Sequence, residues 1–319
     1  MSLPEVTVVI LAYNRREALQ QTLEKMTDSI IYPQERLEII VVDNASTDGT
    51  PEMVAKRFAQ VKLLVNEENI GVAGWNRGFR VGKGDYFLIL DDDCYLEGDG
   101  LRKAVRAAQE QNADLVSFTV ESGITPGFVF NERYNTGWLS FWGCAALVSR
   151  RAIDQLGGYD PHIFLWTNEL EFTMRLLDTG MRHLFLKEVR AVHMKKPKPP
   201  SVYDYRAHRL NMKHLAYIAG KLLQPTDALG ALVNLLINLL TSALKHPQAF
   251  SIVLPVVAGF RQGWRIRQPL RAKVSSVYRW HFYEFVNRLP YKLRYRQPEA
   301  FVQERPTYYP SSSGVFSIP

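Results

Sequence analysis

The chain has 319 residues, of which 46% are hydrophobic and 12% are aromatic. This length and composition exclude a disordered or fibrous protein and allow one large globular domain or two modest ones. Two cysteines, Cys94 and Cys144, are too few for a disulfide framework, which favours a reducing cytoplasm. Residues 1–5 have neither a basic segment nor a long apolar core, so we do not expect a secretory signal.

The net charge of +7 is not spread evenly along the chain. Ten basic residues and one acid, Glu284, lie between 261 and 296, which gives that segment +9 and leaves −2 for the rest. A near-neutral body with a basic segment indicates an anionic partner, either membrane lipid or nucleic acid. The basic residues are Arg261, Arg265, Arg267, Arg271, Lys273, Arg279, Arg288, Lys292, Arg294 and Arg296.

Short apolar runs alternate with helical patterns at the start of the chain. This alternation predicts an α/β fold with a mostly parallel, doubly wound sheet. Such sheets bind ligands beyond the carboxyl ends of their strands, where the polar clusters of this chain fall. The predicted strands are 6–11, 37–42, 61–65 and 86–90, and the predicted helices are 16–30, 50–58 and 74–81.

The pattern loosens after Asp114. Strands are predicted at 115–120, 145–148, 181–186 and 189–192, and a loop leads into an amphipathic helix at 163–177. The proline-rich run at 195–200 breaks regular structure. We therefore divide the chain into a catalytic domain, residues 1–198, and a helical, basic C-terminal region, residues 199–319.

The C-terminal region has a helical pattern at 203–223 and two apolar runs, at 228–244 and 249–260. Both runs are short for a membrane span, which needs about 20 apolar residues. They favour helices that pack on the body of the protein or lie in a bilayer interface. From residue 307 on we expect a loose tail.

Three adjacent carboxylates, Asp91, Asp92 and Asp93, directly follow the predicted strand at 86–90. Like charges packed together are costly unless a positive group joins them. A divalent cation binds through oxygen ligands and usually shares them with substrate phosphates. The sequence therefore predicts a metal–diphosphate site at the carboxyl end of this strand, with an acidic, solvated loop as the alternative.

Four motifs in order, each at a strand end, resemble those of the family 2 glycosyltransferases. They are Leu-Ala-Tyr-Asn-Arg at 11–15, Asp-Asn-Ala-Ser-Thr-Asp-Gly at 43–49, Asn-Ile-Gly at 69–71 with Asn-Arg-Gly at 76–78, and Gly-Asp-Tyr at 84–86 leading into 91–93. The resemblance covers roughly residues 5–195. It implies the GT-A fold and the transfer of a sugar from a nucleotide diphosphate donor with inversion.

The resemblance also implies a donor site at the strand ends. Tyr13 would stack on a pyrimidine base, Asp43 would accept the N3–H of uracil or thymine, and Arg15 and Arg77 would meet the diphosphate. The alternatives are an ordinary half-buried aromatic, a local loop bond and plain surface arginines. The full set of predicted donor-binding residues is Ala12, Tyr13, Arg15, Asp43, Asn44, Asn69, Arg77, Asp91 and Asp92.

Asp91 and Asp93 match the DxD pattern of the family. Asp93 is assigned as a direct metal ligand, Asp91 to the ribose or a metal-bound water, and Asp92 as a bystander that helps the turn. His193 follows a predicted strand where the family often places a histidine that completes the metal or diphosphate site; a structural histidine is the alternative. Mn²⁺ or Mg²⁺ suits such ligands and neutralises charge on the leaving diphosphate.

An inverting transfer needs a base that takes a proton from the acceptor hydroxyl. The family usually carries Glu-Asp here, with the aspartate as the base, whereas this chain reads Asn168-Glu169. The resemblance therefore assigns Glu169, one methylene longer, as the catalytic base. Glu171 is the competing candidate, and both glutamates could instead be charges favoured by a helix N-terminus. The stretch 142–147 resembles the family's acceptor-side strand, where a glycine-rich turn lets the sugar approach the backbone.

Family members that build bacterial surface polysaccharides often carry a similar basic, apolar C-terminal region and act on lipid-linked acceptors. The resemblance therefore implies a cytoplasmic enzyme in peripheral contact with the inner face of the membrane. Packing on the catalytic domain, or an oligomer, is the alternative use of this region. The expected interfacial anchors are Trp264, Tyr278, Trp280, Phe282 and Tyr283.

The pair Arg279-Trp280 lacks the Gln of the motif in processive synthases, which favours transfer of a single sugar. The pattern at 69–74 resembles members that use deoxythymidine-diphosphate-rhamnose, and UDP-sugars stay open as donors. A nucleotidyltransferase would carry a Gly-rich, Lys- or Arg-containing loop after the first strand, and 11–15 lacks it. The non-enzymatic alternative is a degenerate nucleotide-sugar binding protein or a nucleic-acid binding protein, but no nucleic-acid motif is recognisable.

Overall fold

A computed structural model of the chain describes residues 3–130, 140–196, 204–282 and 314–316. Within these residues one sheet contains nine strands. The strands are β1 (Val6–Ala12), β2 (Leu37–Asp43), β3 (Lys62–Val65), β4 (Tyr86–Asp91), β5 (Cys94–Leu96), β6 (Leu115–Ser122), β7 (Ala145–Ser149), β8 (His183–His193) and β9 (Gly314–Phe316). Their order across the sheet is β3-β2-β1-β4-β7-β6-β8-β5, and β9 pairs with β8.

Helices cover both faces of this sheet. The helices of the first two thirds of the chain are α1 (Arg16–Ser29), α2 (Thr50–Arg57), α3 (Trp75–Val81), α4 (Gly100–Glu110), α5 (Arg150–Leu156) and α6 (Asn168–Asp178). The C-terminal helices are α7 (Tyr205–Leu222), α8 (Pro225–Ala243), α9 (Val253–Arg265) and α10 (Ala272–Tyr278). Short 3₁₀ helices lie at Gln34–Arg36, Gly71–Gly74, Pro247–Ile252 and Arg279–Phe282.

The first four strands form the parallel half of the sheet. β1 lies between β2 and β4, with Ala12 opposite Asp43 and Leu11 opposite Asp91. β1 and β4 are buried on both faces and are continuous apolar runs, which is why the sequence predicts them closely. From β7 on the sheet is mixed, because β7 runs antiparallel to both β4 and β6. The predicted doubly wound parallel sheet is thus correct for β1–β4.

Successive side chains of β1 point to opposite faces of the sheet and enter two separate cores. Ile10 lies in one core with Leu23 of α1. Val9 lies in the other core with Phe79 of α3, and this second core also contains Tyr217 of α7. The C-terminal helices therefore share a hydrophobic core with the sheet. Residues 197–203 lie outside the described residues, so the domain boundary at 198 stays a prediction.

Two of the expected interfacial anchors are core residues. Tyr278 and Phe282 are buried in the same core as Val9, so this part of the prediction was wrong. In a basic, aromatic sequence, the pattern does not distinguish a buried aromatic residue from an exposed one, because burial depends on which other helix or strand packs against it. The structure does not describe the side chain of Trp280, nor the residues Tyr283, Arg288, Lys292, Arg294 and Arg296. Of the predicted tail from 307 on, it describes only β9.

β8 is one strand where the sequence predicts two. Its register with β6 shifts between Phe118 and Thr119, and Lys187 and Glu188 are exposed opposite this shift. A bulge of this kind interrupts the apolar pattern of a continuous strand. The elements β5, α4 and α5 were not predicted, whereas α6 begins at Asn168, within the stretch 163–177 predicted to run from a loop into a helix.

α8 is the one helix among the described residues that is long and apolar enough, by length and composition, to cross a membrane. It has 19 residues, and 33% of its most apolar window is buried within the protein. Helices of soluble cores pass the same test, so this finding alone assigns α8 no location.

Candidate active site

The carboxyl ends of β1, β2 and β4 meet at one edge of the sheet, because the three strands are parallel and adjacent. This arrangement places Asp43 and Asp91 on either side of the end of β1. The turns beyond the strand ends use left-handed backbone at Asn14, with φ 52°, and Ala45, with φ 63°. Asn14 also joins the two loops, since its side chain accepts from the Thr47 N–H at 2.7 Å. The sequence analysis did not identify this bridge.

Asp91, Asp93 and His193 form a compact cluster beside this edge. One ligand atom from each lies within 4.8 Å of the others. His193 reaches the cluster because β8 runs antiparallel to β5, with His193 opposite Cys94. Its Nε2 lies 2.9 Å from Oδ1 of Asp93. The structure thus brings together Asp91, Asp93 and His193, the three residues that the resemblance assigns to the metal site.

Positive charge is supplied to the cluster by Arg15. Its guanidinium contacts the carboxylate of Asp93, and its Nε lies 3.7 Å from Oδ1 of Asp92. Burial raises the pKa of Asp91, and Asp93 raises it further, although His193 opposes both effects. For Asp93 burial also disfavours the charged form, but His193 and Arg15 outweigh burial and lower its pKa.

The pKa values of Asp92 and His193 are also shifted. Burial raises the pKa of Asp92 to about 8, against the opposing effect of Arg15. Burial alone would lower the pKa of His193, yet Asp93 and the thiol of Cys144 raise it to about 10. The protein therefore stabilises positive charge at the place where three acids accumulate.

The donor set of this cluster fits a divalent cation. It offers two carboxylates and an imidazole, which suit Mn²⁺ and Mg²⁺ to different degrees. The imidazole of His193 is buried, and its Nε2 faces Oδ1 of Asp93 at 2.9 Å. The grouping of this buried imidazole with two carboxylates, with one ligand atom from each within 4.8 Å of the others, is the observation that fits a bound cation.

Asp43 has one oxygen engaged and one free. Its Oδ2 accepts from the Ser46 N–H at 2.8 Å, whereas its Oδ1 is buried without a hydrogen-bond partner among the described residues. Tyr13, which directly follows β1, is 46% exposed, so its ring is available at the surface. A buried acceptor beside an exposed aromatic ring can bind a planar group that carries an N–H.

Three of the predicted donor-binding residues have their side-chain polar groups engaged within the protein. Asn44 donates to Gly71 O at 2.9 Å and accepts from Asn66 at 2.7 Å. Asn69 accepts from the Gly71 N–H at 2.9 Å. Arg77 donates to Asn66 Oδ1 at 2.9 Å and to a backbone carbonyl at the end of β3. These contacts hold the loops together, and a direct donor contact by these residues stays a prediction.

Glu169 lies in the first turn of α6. Two residues in the left-handed region, Trp166 with φ 61° and Thr167 with φ 60°, precede the helix. Such backbone costs of the order of 1–3 kcal/mol per residue and persists where the surroundings require it. Burial raises the pKa of Glu169 to about 7, and the charge of Asp91 contributes in the same direction. The side chain remains partly exposed.

Gly143 packs directly against this glutamate. A Cβ atom added to Gly143 would lie 1.8 Å from Oε1 of Glu169. The glycine therefore leaves room for the carboxylate, in the stretch that resembles the family's acceptor-side strand. Sequence reasoning identified the glycine but not its contact with Glu169, because nothing in either local pattern indicates the other.

Glu171, the competing base, is fully buried. Its two oxygens accept from Arg175 at 2.8 and 2.7 Å, and one of them lies 2.9 Å from Nζ of Lys221 in α7. Lys221 also donates to Asp160 at 2.5 Å. Glu171 is therefore part of a buried ionic network that joins α6 to α7, and the sequence analysis did not identify that network.

Comparison with known proteins places the chain in a family. The profile described as Glycosyl transferase family 2 matches residues 7–166, which include all the strand-end motifs. The chain belongs to glycosyl transferase family 2. Among its relatives is glycosyltransferase AglE of Haloferax volcanii, 28% identical over 214 residues that cover 61% of this chain and 69% of AglE. For the next two relatives the matched share falls to 34% and 32% of their length.

Solved structures show the same GT-A fold. A mannosyltransferase, PcManGT from Pyrobaculum calidifontis, in complex with GDP-Man and Mn²⁺, is 20% identical with a TM-score of 0.55, covering 88% of both chains. S. aureus TarS 1-349 in complex with UDP-GlcNAc is 17% identical with a TM-score of 0.55, covering 87% of this chain and 92% of the TarS chain. The expectation of a GT-A fold with a helical C-terminal region is confirmed.

Proposed function

We propose that this family 2 glycosyltransferase moves one sugar, with inversion, from a UDP- or dTDP-sugar to a hydroxyl of a glycan or lipid-linked acceptor in cell-surface polysaccharide synthesis. The observation that carries the proposal is the position of Asp91. It contributes to the Asp93–His193 cluster and its charge also raises the pKa of Glu169. The proposed diphosphate site and the proposed base are therefore close enough for the charge of Asp91 to act on both.

Asp93, Asp91 and His193 would hold Mn²⁺ or Mg²⁺. The bound cation would neutralise charge on the leaving diphosphate. Arg15, which contacts Asp93, would balance the remaining acid charge. The Mn²⁺ bound in the PcManGT complex supports the choice of metal.

Glu169 would take the proton from the acceptor hydroxyl as its oxygen attacks the anomeric carbon. A base works best when its pKa lies near the working pH, and the pKa of Glu169 is raised to about 7. Glu171 is unsuited to this role, because Arg175 and Lys221 occupy its oxygens inside the core. A catalytically degenerate binding protein is the competing proposal, and the departure from Glu-Asp at 168–169 is its support.

Asp43 would accept the N3–H of uracil or thymine through its free Oδ1, with Tyr13 stacked on the ring. UDP-GlcNAc in the TarS structure supports a pyrimidine donor, whereas GDP-Man in the PcManGT structure makes GDP a necessary comparison. A dTDP-sugar such as dTDP-rhamnose stays within the proposal. We place the enzyme at the cytoplasmic face of the membrane, in peripheral contact with it, where lipid-linked acceptors would be reached.

Titration calorimetry with UDP, dTDP and GDP, each with and without Mn²⁺, tests the donor half of this proposal. We expect metal-dependent binding of UDP or dTDP and weaker binding of GDP. Release of nucleoside diphosphate from the matching sugar donor then tests turnover. Binding without any turnover would favour the degenerate protein, and binding of no nucleotide by folded protein would overturn the proposal.

A further inference from the structure

Exposed apolar side chains are concentrated in one part of the molecule. Nine of the fourteen large hydrophobic residues that are exposed among the described residues lie between 229 and 266. Scattered exposed apolar residues are normal, but a contiguous group marks an interaction surface. The nine residues are Leu229, Val233, Ile237, Leu240, Leu244, Phe250, Leu254, Trp264 and Ile266.

Five of them form a stripe along α8 and its C-terminal cap. Leu229, Val233, Ile237, Leu240 and Leu244 are separated by three or four residues, which places them on one side of the helix. They are between 37% and 85% exposed. A second face of α8 is buried in the core and includes Ala228, Ala231, Leu235 and Leu239. The helix is therefore apolar on a face that packs and on a face that does not.

The stripe continues onto the segment that follows α8. Phe250, in the 3₁₀ helix Pro247–Ile252, is 63% exposed, and Leu254 at the start of α9 is 78% exposed. This segment packs on α8, so its exposed side chains extend the patch sideways. We name the set Leu229, Val233, Ile237, Leu240, Leu244, Phe250 and Leu254 the α8 face.

The charge around the α8 face has one sign. Residues 228–282 contain seven lysines and arginines and no aspartate or glutamate. Lys245 directly follows Leu244. Arg261 and Arg265 are exposed on α9 and lie on the same face of that helix as Leu254. The nearest acid in sequence, Asp227, is buried and pairs with Arg279. The rim of the α8 face is thus cationic.

From this combination we infer that the α8 face docks on the surface of an anionic phospholipid bilayer. Apolar side chains would enter the headgroup region while Lys245, Arg261 and Arg265 meet lipid phosphates, as in helices that lie in the interface plane. A second copy of the chain is a poorer partner, because pairing two such faces brings together two segments of +7. The inference rests on the proposed membrane contact and gives it a specific surface.

The same geometry argues that α8 lies on the bilayer rather than across it. Leu235 and Leu239 are buried in the core that contains Tyr217, so a spanning helix would have to leave that core. Leu235 and Leu239 would then move from the apolar core to apolar lipid with little gain, whereas the core would lose its packing against them. Surface docking keeps the inner face packed and covers only the exposed one.

Co-sedimentation of the full chain with phospholipid vesicles tests this inference. We expect binding to vesicles containing phosphatidylglycerol, weak binding to pure phosphatidylcholine, and loss of binding as salt rises. The double variant Leu244→Asn/Leu254→Asn should lower partitioning at least about tenfold. Its matched control is Ile31→Asn/Ile124→Asn, which removes two apolar side chains exposed elsewhere and should leave partitioning unchanged.

A second comparison isolates charge. Lys245→Gln/Arg261→Gln/Arg265→Gln should weaken binding by about fivefold per charge, whereas Lys56→Gln/Lys62→Gln/Arg106→Gln, which neutralises exposed cations elsewhere, should not. Nucleotide binding by calorimetry should be equal in all four variants, which separates failure at this face from failure of the donor site. Absence of vesicle binding, retention only in detergent, or conversion of a dimer to a monomer by the apolar variant would each overturn the inference.

Discussion

The ammonium nitrogen of Lys221 lies 2.9 Å from a carboxylate oxygen of Glu171, two residues beyond Glu169. Lys221 belongs to α7 and Glu171 to α6, so this buried pair joins the C-terminal helices to the helix that carries the proposed base. Asp160, which precedes α6, completes the network through contacts with Lys221 and Tyr217. The C-terminal region thus helps to fix the position of the helix that carries the proposed base.

Replacing Lys221 with methionine should destabilise the fold. The substitution keeps the volume but leaves Asp160 and Glu171 buried with less positive charge, and breaking a buried pair in this way costs about 3–5 kcal/mol. We expect the free energy of unfolding in urea to fall by about that amount. Lys273→Met, at an exposed lysine of α10, is the matched control and should change it by less than about 0.5 kcal/mol. Equal free energies of unfolding for the two variants would show that the buried ionic network contributes little to stability.

The rate of sugar transfer should depend on pH through Glu169. The base must be unprotonated, and its pKa is raised to about 7 by burial and by Asp91, so turnover should fall as pH drops below about 7. Tyr159 and Asn168 also face this carboxylate. Glu169→Gln should remove this acid limb and lower kcat by about 10²–10⁴-fold. Glu171→Gln should instead lower the thermal midpoint, and an unchanged kcat in Glu169→Gln would reject Glu169 as the base.

Local patterns explain which parts of this site could be predicted. Asp91 and Asp93 follow a buried apolar strand, so strand and acids are visible together in the sequence. His193 joins them only because β8 pairs with β5, a contact between segments about one hundred residues apart along the chain. The resemblance to the family supplied that position, whereas the residues alone did not.

The missed contacts are all of this long-range kind. Lys221 reaches Glu171 across fifty residues, and Gly143 meets Glu169 across a segment that contains β7 and α5. Tyr278 looked like an interfacial anchor because it lies among arginines, yet tertiary packing buries it. Composition predicted that the C-terminal region contacts lipid. It could not show which face of α8 is exposed, because that depends on how α8 packs on its neighbours.

Gly143→Ala should impair catalysis more than folding. Its Cβ would lie 1.8 Å from Oε1 of Glu169, and the end of a flexible side chain can move aside at little cost. We expect the free energy of unfolding to change by less than about 1 kcal/mol while kcat falls about 10- to 100-fold, because small misplacements of a reacting group are costly. Gly100→Ala is the control, since its Cβ would meet Val189 at an ordinary 3.4 Å. A kcat equal to that of the control would show that Glu169 tolerates the displacement.

Asp93→Asn should abolish the effect of Mn²⁺ on nucleotide binding. Asp93 contributes an oxygen to the cluster with Asp91 and His193, and its loss removes a charged ligand. Calorimetry should then give the same affinity for UDP or dTDP with and without the metal. Asp92→Asn should keep the metal dependence, because the carboxylate of Asp92 is not part of that cluster. If both variants lose it equally, the distinction between Asp93 as a metal ligand and Asp92 as a bystander is incorrect.

Asp43→Asn should weaken binding of the nucleotide base. The free Oδ1 of Asp43 is buried without a partner among the described residues, and Oδ2 accepts from the Ser46 N–H. An asparagine has one acceptor oxygen, so it can serve either the Ser46 N–H or the base N–H, and the hydrogen bond lost is worth about 1.5–3 kcal/mol. We therefore expect Kd for UDP or dTDP to rise about 10- to 150-fold, without loss of the Mn²⁺ dependence that Asp93 provides. Asp99→Asn, at an acid that pairs with Lys103 on α4, should leave Kd unchanged. An equal Kd for Asp43→Asn and wild type would place the base elsewhere, because Oδ1 of Asp43 would then have no role in binding it.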